Sequence, residues 1–171
     1  ARQSRRACED IDSDGVLEFP YEAADYYKIG AANVSPSFIR VYEWRRWKGE
    51  GQPMERVAVR AENTRYRYAF TVPDTLTGKL LIEQAATGEL HIYIRAEKQP
   101  VHFFSLVSME REAFGARASV KSLTLLIEDG TMVHALSVPE GLSDEAKALL
   151  PAEAQFKKLI APYIGQDTPL M

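Results

Sequence analysis

Cysteine is almost absent, with Cys8 the single example in 171 residues. A lone thiol forms no internal disulfide, and a thiolate zinc cluster is excluded. Long apolar runs are missing as well. No stretch approaches the roughly 18 uninterrupted apolar residues of a membrane helix, so no transmembrane segment is expected. There is no basic excess: 21 Lys and Arg face 24 Asp and Glu, a formal charge of −3, which argues against nucleic acid as a partner. Also missing are a Gly-x-Ser-x-Gly elbow, a phosphate-binding glycine loop and a His-Glu-x-x-His helix. The chain is accordingly read as non-enzymatic. What is present is an ordinary globular balance, 46% hydrophobic and 26% charged.

The chain starts with Ala1 and reads as a piece of something longer. Ala7-Cys8 has the outline of a lipoprotein cleavage site, but Arg5 and Arg6 stand where apolar residues belong, so Cys8 is read as a free thiol. Composition divides the rest into a flexible basic terminus (1–9), a segment with an acidic loop and a hairpin (10–62), an α/β sandwich domain (63–165) and a short tail (166–171). Alternation and β-branched or aromatic content predict strands over 16–19, 38–47, 55–61, 66–72, 79–84, 89–95, 103–109, 123–128 and 131–138. Asp129-Gly130 is the strongest short hairpin signal.

The tail has a different period. Ser143 is a good N-cap, with Asp144 and Glu145 at the positive end of the helix it opens. Pro151 suits the first position of a second helix. Phe156, Leu159, Ile160 and Tyr163 follow at i, i+3, i+4 and i+7, one stripe for packing on a sheet. The expected fold class is therefore α+β: an antiparallel β-sheet covered by a C-terminal helix, preceded by a calcium-loop hairpin.

One motif carries chemistry. Asp10, Asp12 and Asp14 occupy loop positions 1, 3 and 5, Gly15 permits the sharp turn, the carbonyl of Val16 falls at position 7, and Glu18 at position 9 completes the oxygen set. Tyr21 stands where an EF-hand needs its bidentate Glu, and Pro20 discourages an exiting helix, so a strand follows instead. Leu17 is apolar and suited to anchor the loop in a neighbouring core. Three alternating aspartates repel one another unless a cation compensates them. The expected cofactor is a structural Ca2+ held by Asp10, Asp12, Asp14, Val16 and Glu18.

This loop, followed by a strand with Trp44 and Trp47 and a Gly-containing turn, resembles the FG-GAP/VCBS type of β-propeller repeat. The stretch 66–79, with Phe70, Pro73 and Gly78 in place and Leu76 where Trp is usual, is similar to the segment that opens PsbP-like domains. The combination resembles the C-terminal region of uncharacterised bacterial extracytoplasmic lipoproteins. The resemblance implies an extracytoplasmic location, a PsbP-like sandwich and a protein or cell-envelope partner.

Tyr42, Trp44 and Trp47, interleaved with Arg40, Arg45 and Arg46, are candidate ligand-binding residues, and a carbohydrate-binding or hydrolase-accessory module is the alternative reading. Packing of the hairpin against the larger domain explains the same aromatics. His91, His102 and His134 have no spacing that demands a shared metal. Glu110 and Glu112 around Arg111 read as a solvated turn.

Overall fold

β-Branched and aromatic residues fit a pleated, half-buried surface, and most of the alternating runs become strands. The computed structural model describes residues 6–28, 38–85, 88–120 and 122–163. The terminal segments 1–5 and 164–171, on which parts of the expected loose terminus and tail fall, lie outside the described residues. Ten strands occur among the described residues: β1 (Phe19–Glu22), β2 (Ile39–Arg46), β3 (Glu55–Asn63), β4 (Tyr68–Thr71), β5 (Leu80–Gln84), β6 (Glu89–Ile94), β7 (Val101–Glu110), β8 (Thr124–Asp129), β9 (Met132–Ser137) and β10 (Ile160–Pro162). They form two antiparallel sheets, ordered β1-β2-β3-β4-β10 (sheet 1) and β5-β6-β7-β9-β8 (sheet 2).

The sheets pack against each other through one face each. Ile39 and Val41 of β2, Val59 and Ala61 of β3, and Tyr68 and Phe70 of β4 share a core with Leu80, Ile82, Leu90, Ile92, Phe104 and Leu106 of sheet 2. Two ring contacts cross the interface: Phe70 meets Phe104 edge-on at 5.8 Å, and Tyr68 lies 4.9 Å from His134. Sheet 1 takes β1 and β2 from residues 10–62 and β4 and β10 from residues 63–165, and β3, which runs across the expected boundary to Asn63, pairs with β4 through Asn63↔Tyr68.

This arrangement overturns the expected α+β class. The layer that covers sheet 1 is a second sheet, and the helices are short: α1 (Arg111–Val120), α2 (Asp144–Leu149) and α3 (Glu153–Leu159). The predicted helical stripe breaks at Ile160, which enters β10 and pairs with Phe70. Seven helical residues span only about 10 Å, too little to roof five strands spaced about 4.8 Å apart. From α3, Phe156 is the buried side chain, edge-on to Phe104 at 5.0 Å. Alternation reports that a strand has a buried face, not what lies on it.

Local signals fared better. Ser143 caps α2, its hydroxyl accepting the Ala146 N–H at 3.2 Å, whereas Pro151, expected at the first helical position, stands two residues before it, just ahead of Ala152, the N-cap of α3. Gly130 turns the β8–β9 hairpin with φ +60°. At Gly88, φ is +80° and an added Cβ would meet the Ser108 carbonyl at 2.6 Å, so only glycine fits there. No helix among the described residues is long and apolar enough to cross a membrane.

Candidate functional site

Two backbone hydrogen bonds between Glu9 and Glu18, 3.2 and 2.9 Å long, close the neck of the acidic loop. Inside it the carboxylates are partly used to fold the backbone. Asp10 accepts the N–H groups of Asp14 (3.1 Å) and Gly15 (2.8 Å), Asp14 accepts that of Val16 (2.9 Å), and Glu18 accepts that of Ile11 (3.1 Å). Gly15 supplies the sharp turn at φ +87°. Asp10, Asp12 and Glu18 each bring one carboxylate oxygen within 4.8 Å of the other two. Asp14 is outside this trio, and Val16 is tied in through its amide.

Arg46, at the end of β2, completes the constellation. Its Nη2 stands 2.8 Å from Asp12 Oδ2, from Asp14 Oδ2 and from Glu18 Oε1, and its Nε donates to Glu18 Oε1 at 3.0 Å. The repulsion argument thus holds, with a guanidinium of the same chain as compensating cation. A guanidinium nitrogen of this kind carries two hydrogens, so the third carboxylate is held by charge alone. The Glu18 hydrogen bond first, then Asp12 and Asp14, raise the Arg46 pKa and keep it charged. Burial works to raise the Asp12 carboxyl, but the hydrogen bond and charge of Arg46 outweigh it and hold Asp12 below its ordinary value. Nothing local in the sequence links Arg46 to a glutamate 28 positions away.

The loop lies beside a tightly covered aromatic. Trp44 is on the face of sheet 1 turned from the core and is 0% exposed. The Arg6 guanidinium sits 5.5 Å from its ring centre and 5.2 Å from that of Tyr163. Arg6 also bridges Glu9 at 2.6 Å and the buried Glu62 at 3.1 Å. Burial pushes the Glu62 carboxyl up, against the pull of Arg6. Tyr42 is half-buried, edge-on to Trp44 at 6.3 Å, whereas Trp47 is 62% exposed. The three aromatics therefore present no shared stacking surface. Leu17 does not anchor the loop in a core: it is 58% exposed, and Val16 and Phe19 are exposed with it.

The three histidines do not converge. His91 and His102 stand on the outer face of sheet 2 with ring centres 5.0 Å apart, while His134 faces the core, its Nδ1 2.9 Å from Ser108 Oγ. Glu110 and Glu112 are exposed at the junction of β7 and α1, and Cys8 is an exposed free thiol.

His134 carries a pH prediction. Burial pushes its pKa down to about 4, with Asp129 opposing. The unfolded imidazole titrates near 6.5, so below that pH the unfolded chain binds the extra proton. The stabilisation is complete above about pH 6.5 and is lost as pH falls toward about 4, amounting to about 3 kcal/mol. Urea unfolding of the natural chain and of His134→Gln at neutral and mildly acidic pH should show the variant losing less stability on acidification. Equal acid sensitivity of the two would refute the assignment.

Compared with family models, curated proteins and solved structures, the chain finds no match.

Proposed function

We propose that this β-sandwich is a non-enzymatic binding module that works outside the cytoplasm, with a structural Ca2+ in its acidic loop and a protein or cell-envelope partner. The observation that carries the reading is the approach of Asp10, Asp12 and Glu18 oxygens to within 4.8 Å of one another. All-oxygen, carboxylate-rich donor sets suit a hard cation. Asp10, Asp12 and Glu18 would hold the ion, with Asp14 and the Val16 carbonyl drawn in as Arg46 withdraws. The ion would supply two positive charges where Arg46 supplies one, and would tie the loop to the edge of sheet 1.

Displacing Arg46 costs affinity, so binding belongs to the weak range of extracellular modules, on the order of 10⁻⁴–10⁻³ M. Support for a docking partner comes from the exposed Val16, Leu17, Phe19 and Trp47 near the loop. The carbohydrate reading is weakened, because Trp44 offers no ring face to solvent.

Calorimetric titration with calcium tests the proposal. Weak one-site binding is expected for the natural chain and its loss in Asp12→Ala. Absence of heat from the natural chain at millimolar calcium would sink the reading.

A further inference from the structure

We propose that Trp44, Glu62 and Tyr163, on the face of sheet 1 turned away from the core, form a receptor for an arginine side chain of a partner polypeptide. Arg6 of the same chain occupies it as a stand-in. The inference goes beyond the calcium reading, none of whose ligands belongs to the receptor.

The receptor is built on the sheet and not on the segment that fills it. Trp44 of β2 pairs with Ala58 of β3, and Glu62 stands four residues further along β3, on the same face. Tyr163 follows β10, and its N–H donates to the Arg67 carbonyl at 2.7 Å. Arg6, by contrast, lies ahead of β1, and residues 6–8 belong to no helix or strand. Among the described residues, strand-type pairing begins only at Glu9, in an isolated bridge to Glu18. Such a segment opens at far lower cost than the sheet it covers.

What Arg6 touches defines the ligand. Its guanidinium lies 5.5 Å from the Trp44 ring centre and 5.2 Å from that of Tyr163, within the reach of cation–π attraction. Its Nε donates to Glu62 Oε2 at 3.1 Å, and its Nη2 to Glu9 Oε2 at 2.6 Å. Arg60 lies 6.0 Å from the Trp44 ring centre, and its charge joins that of Arg6 in opposing the burial of Glu62. The outer face of an antiparallel sheet is commonly solvated. Here it holds a tryptophan at 0% exposure and a carboxylate at 1%. A buried carboxylate of this kind requires a cation beside it.

The stand-in leaves the receptor incompletely satisfied. Glu62 Oε1 and Trp44 Nε1 are buried with no hydrogen-bond partner among the described residues. Arg6 thus engages one oxygen of Glu62, whereas a guanidinium pairs best with a carboxylate through two parallel bonds. An arginine that is not held three residues from Glu9 can present its fork to both oxygens. That extra bond offsets the advantage Arg6 has from belonging to the same chain. Lysine has no planar fork and gains nothing comparable.

The probe is N-acetyl-arginine methylamide, and the signal is Trp44 emission in a Trp47→Phe background, where Trp44 is the single tryptophan. Calcium is left out, so the outcome is separate from that of the calcium titration. Arg6→Ala should bind the probe saturably, at least about tenfold more tightly than the chain that keeps Arg6 as competitor. Adding Glu62→Gln should weaken the probe at least about tenfold, and the lysine counterpart should be weaker by a similar factor. Free L-arginine brings its own carboxylate to an acidic face and should also bind more weakly. The probe should raise the unfolding temperature of Arg6→Ala, a readout that serves even where this variant is only marginally folded. An Arg6→Ala chain neither bound nor stabilised by the probe would overturn the proposal. So would probe binding that is undiminished by Glu62→Gln, no weaker with Arg6 in place, or matched by the lysine counterpart or free L-arginine.

Discussion

Arg46→Ala should bind calcium about tenfold or more tightly than the natural chain, and should lose stability when calcium is removed. Both effects follow from one nitrogen. Arg46 Nη2 is 2.8 Å from three carboxylate oxygens, so an incoming ion must first displace it. Without the guanidinium there is nothing to displace, and Asp12, Asp14 and Glu18 repel one another more strongly. Glu18 is fully buried and would lose its charge partner. Titration calorimetry gives the first effect, and thermal unfolding with chelator and with excess calcium gives the second. Unchanged or weaker calcium binding, with the variant folded by circular dichroism, would show that Arg46 is part of the site and not its competitor.

Phe156→Ala should cost about 3–5 kcal/mol of folding stability. Its ring is fully buried and packs edge-on to Phe104 at 5.0 Å, and Phe104 in turn meets Phe70 of the opposite sheet. The walls of the resulting cavity belong to hydrogen-bonded strands of both sheets, which cannot collapse into it freely. Truncation of the half-exposed Leu149 on α2 should do little by comparison. Urea unfolding monitored by far-ultraviolet circular dichroism decides the matter. A loss below about 1 kcal/mol would mean that α3 is a surface appendage.

How far the chain could be read from its residues depended on the range of the interactions involved. The Asp129-Gly130 turn, the Ser143 cap and the spacing of the acidic loop are local, settled within a few residues, and each is present in the structure. Helix α1 leaves no mark in the sequence because none of its residues is buried, so no apolar stripe announces it. Strand β10 was hidden inside a helical period: Ile160 fits the stripe as well as Leu159 does, and only its pairing with Phe70 makes it extended. The identity of the second layer is hidden for the same kind of reason. Leu90 and Ile92 alternate with His91 and Tyr93 whether their cover is a helix or another sheet. In the candidate site, Asp10, Asp12 and Glu18 were legible, whereas Arg46 was not, because its proximity is created by the pairing of β1 with β2.

The two tryptophans of the chain lie on either side of this guanidinium in sequence, Trp44 sealed and Trp47 62% exposed. They divide the intrinsic fluorescence into a shielded, blue-shifted emitter and one open to a collisional quencher such as iodide. A cation that draws the loop away from Arg46 acts within two residues of the shielded emitter, while general unfolding releases both. The molecule therefore distinguishes optically between a local rearrangement at its acidic loop and loss of the whole fold, without an added label.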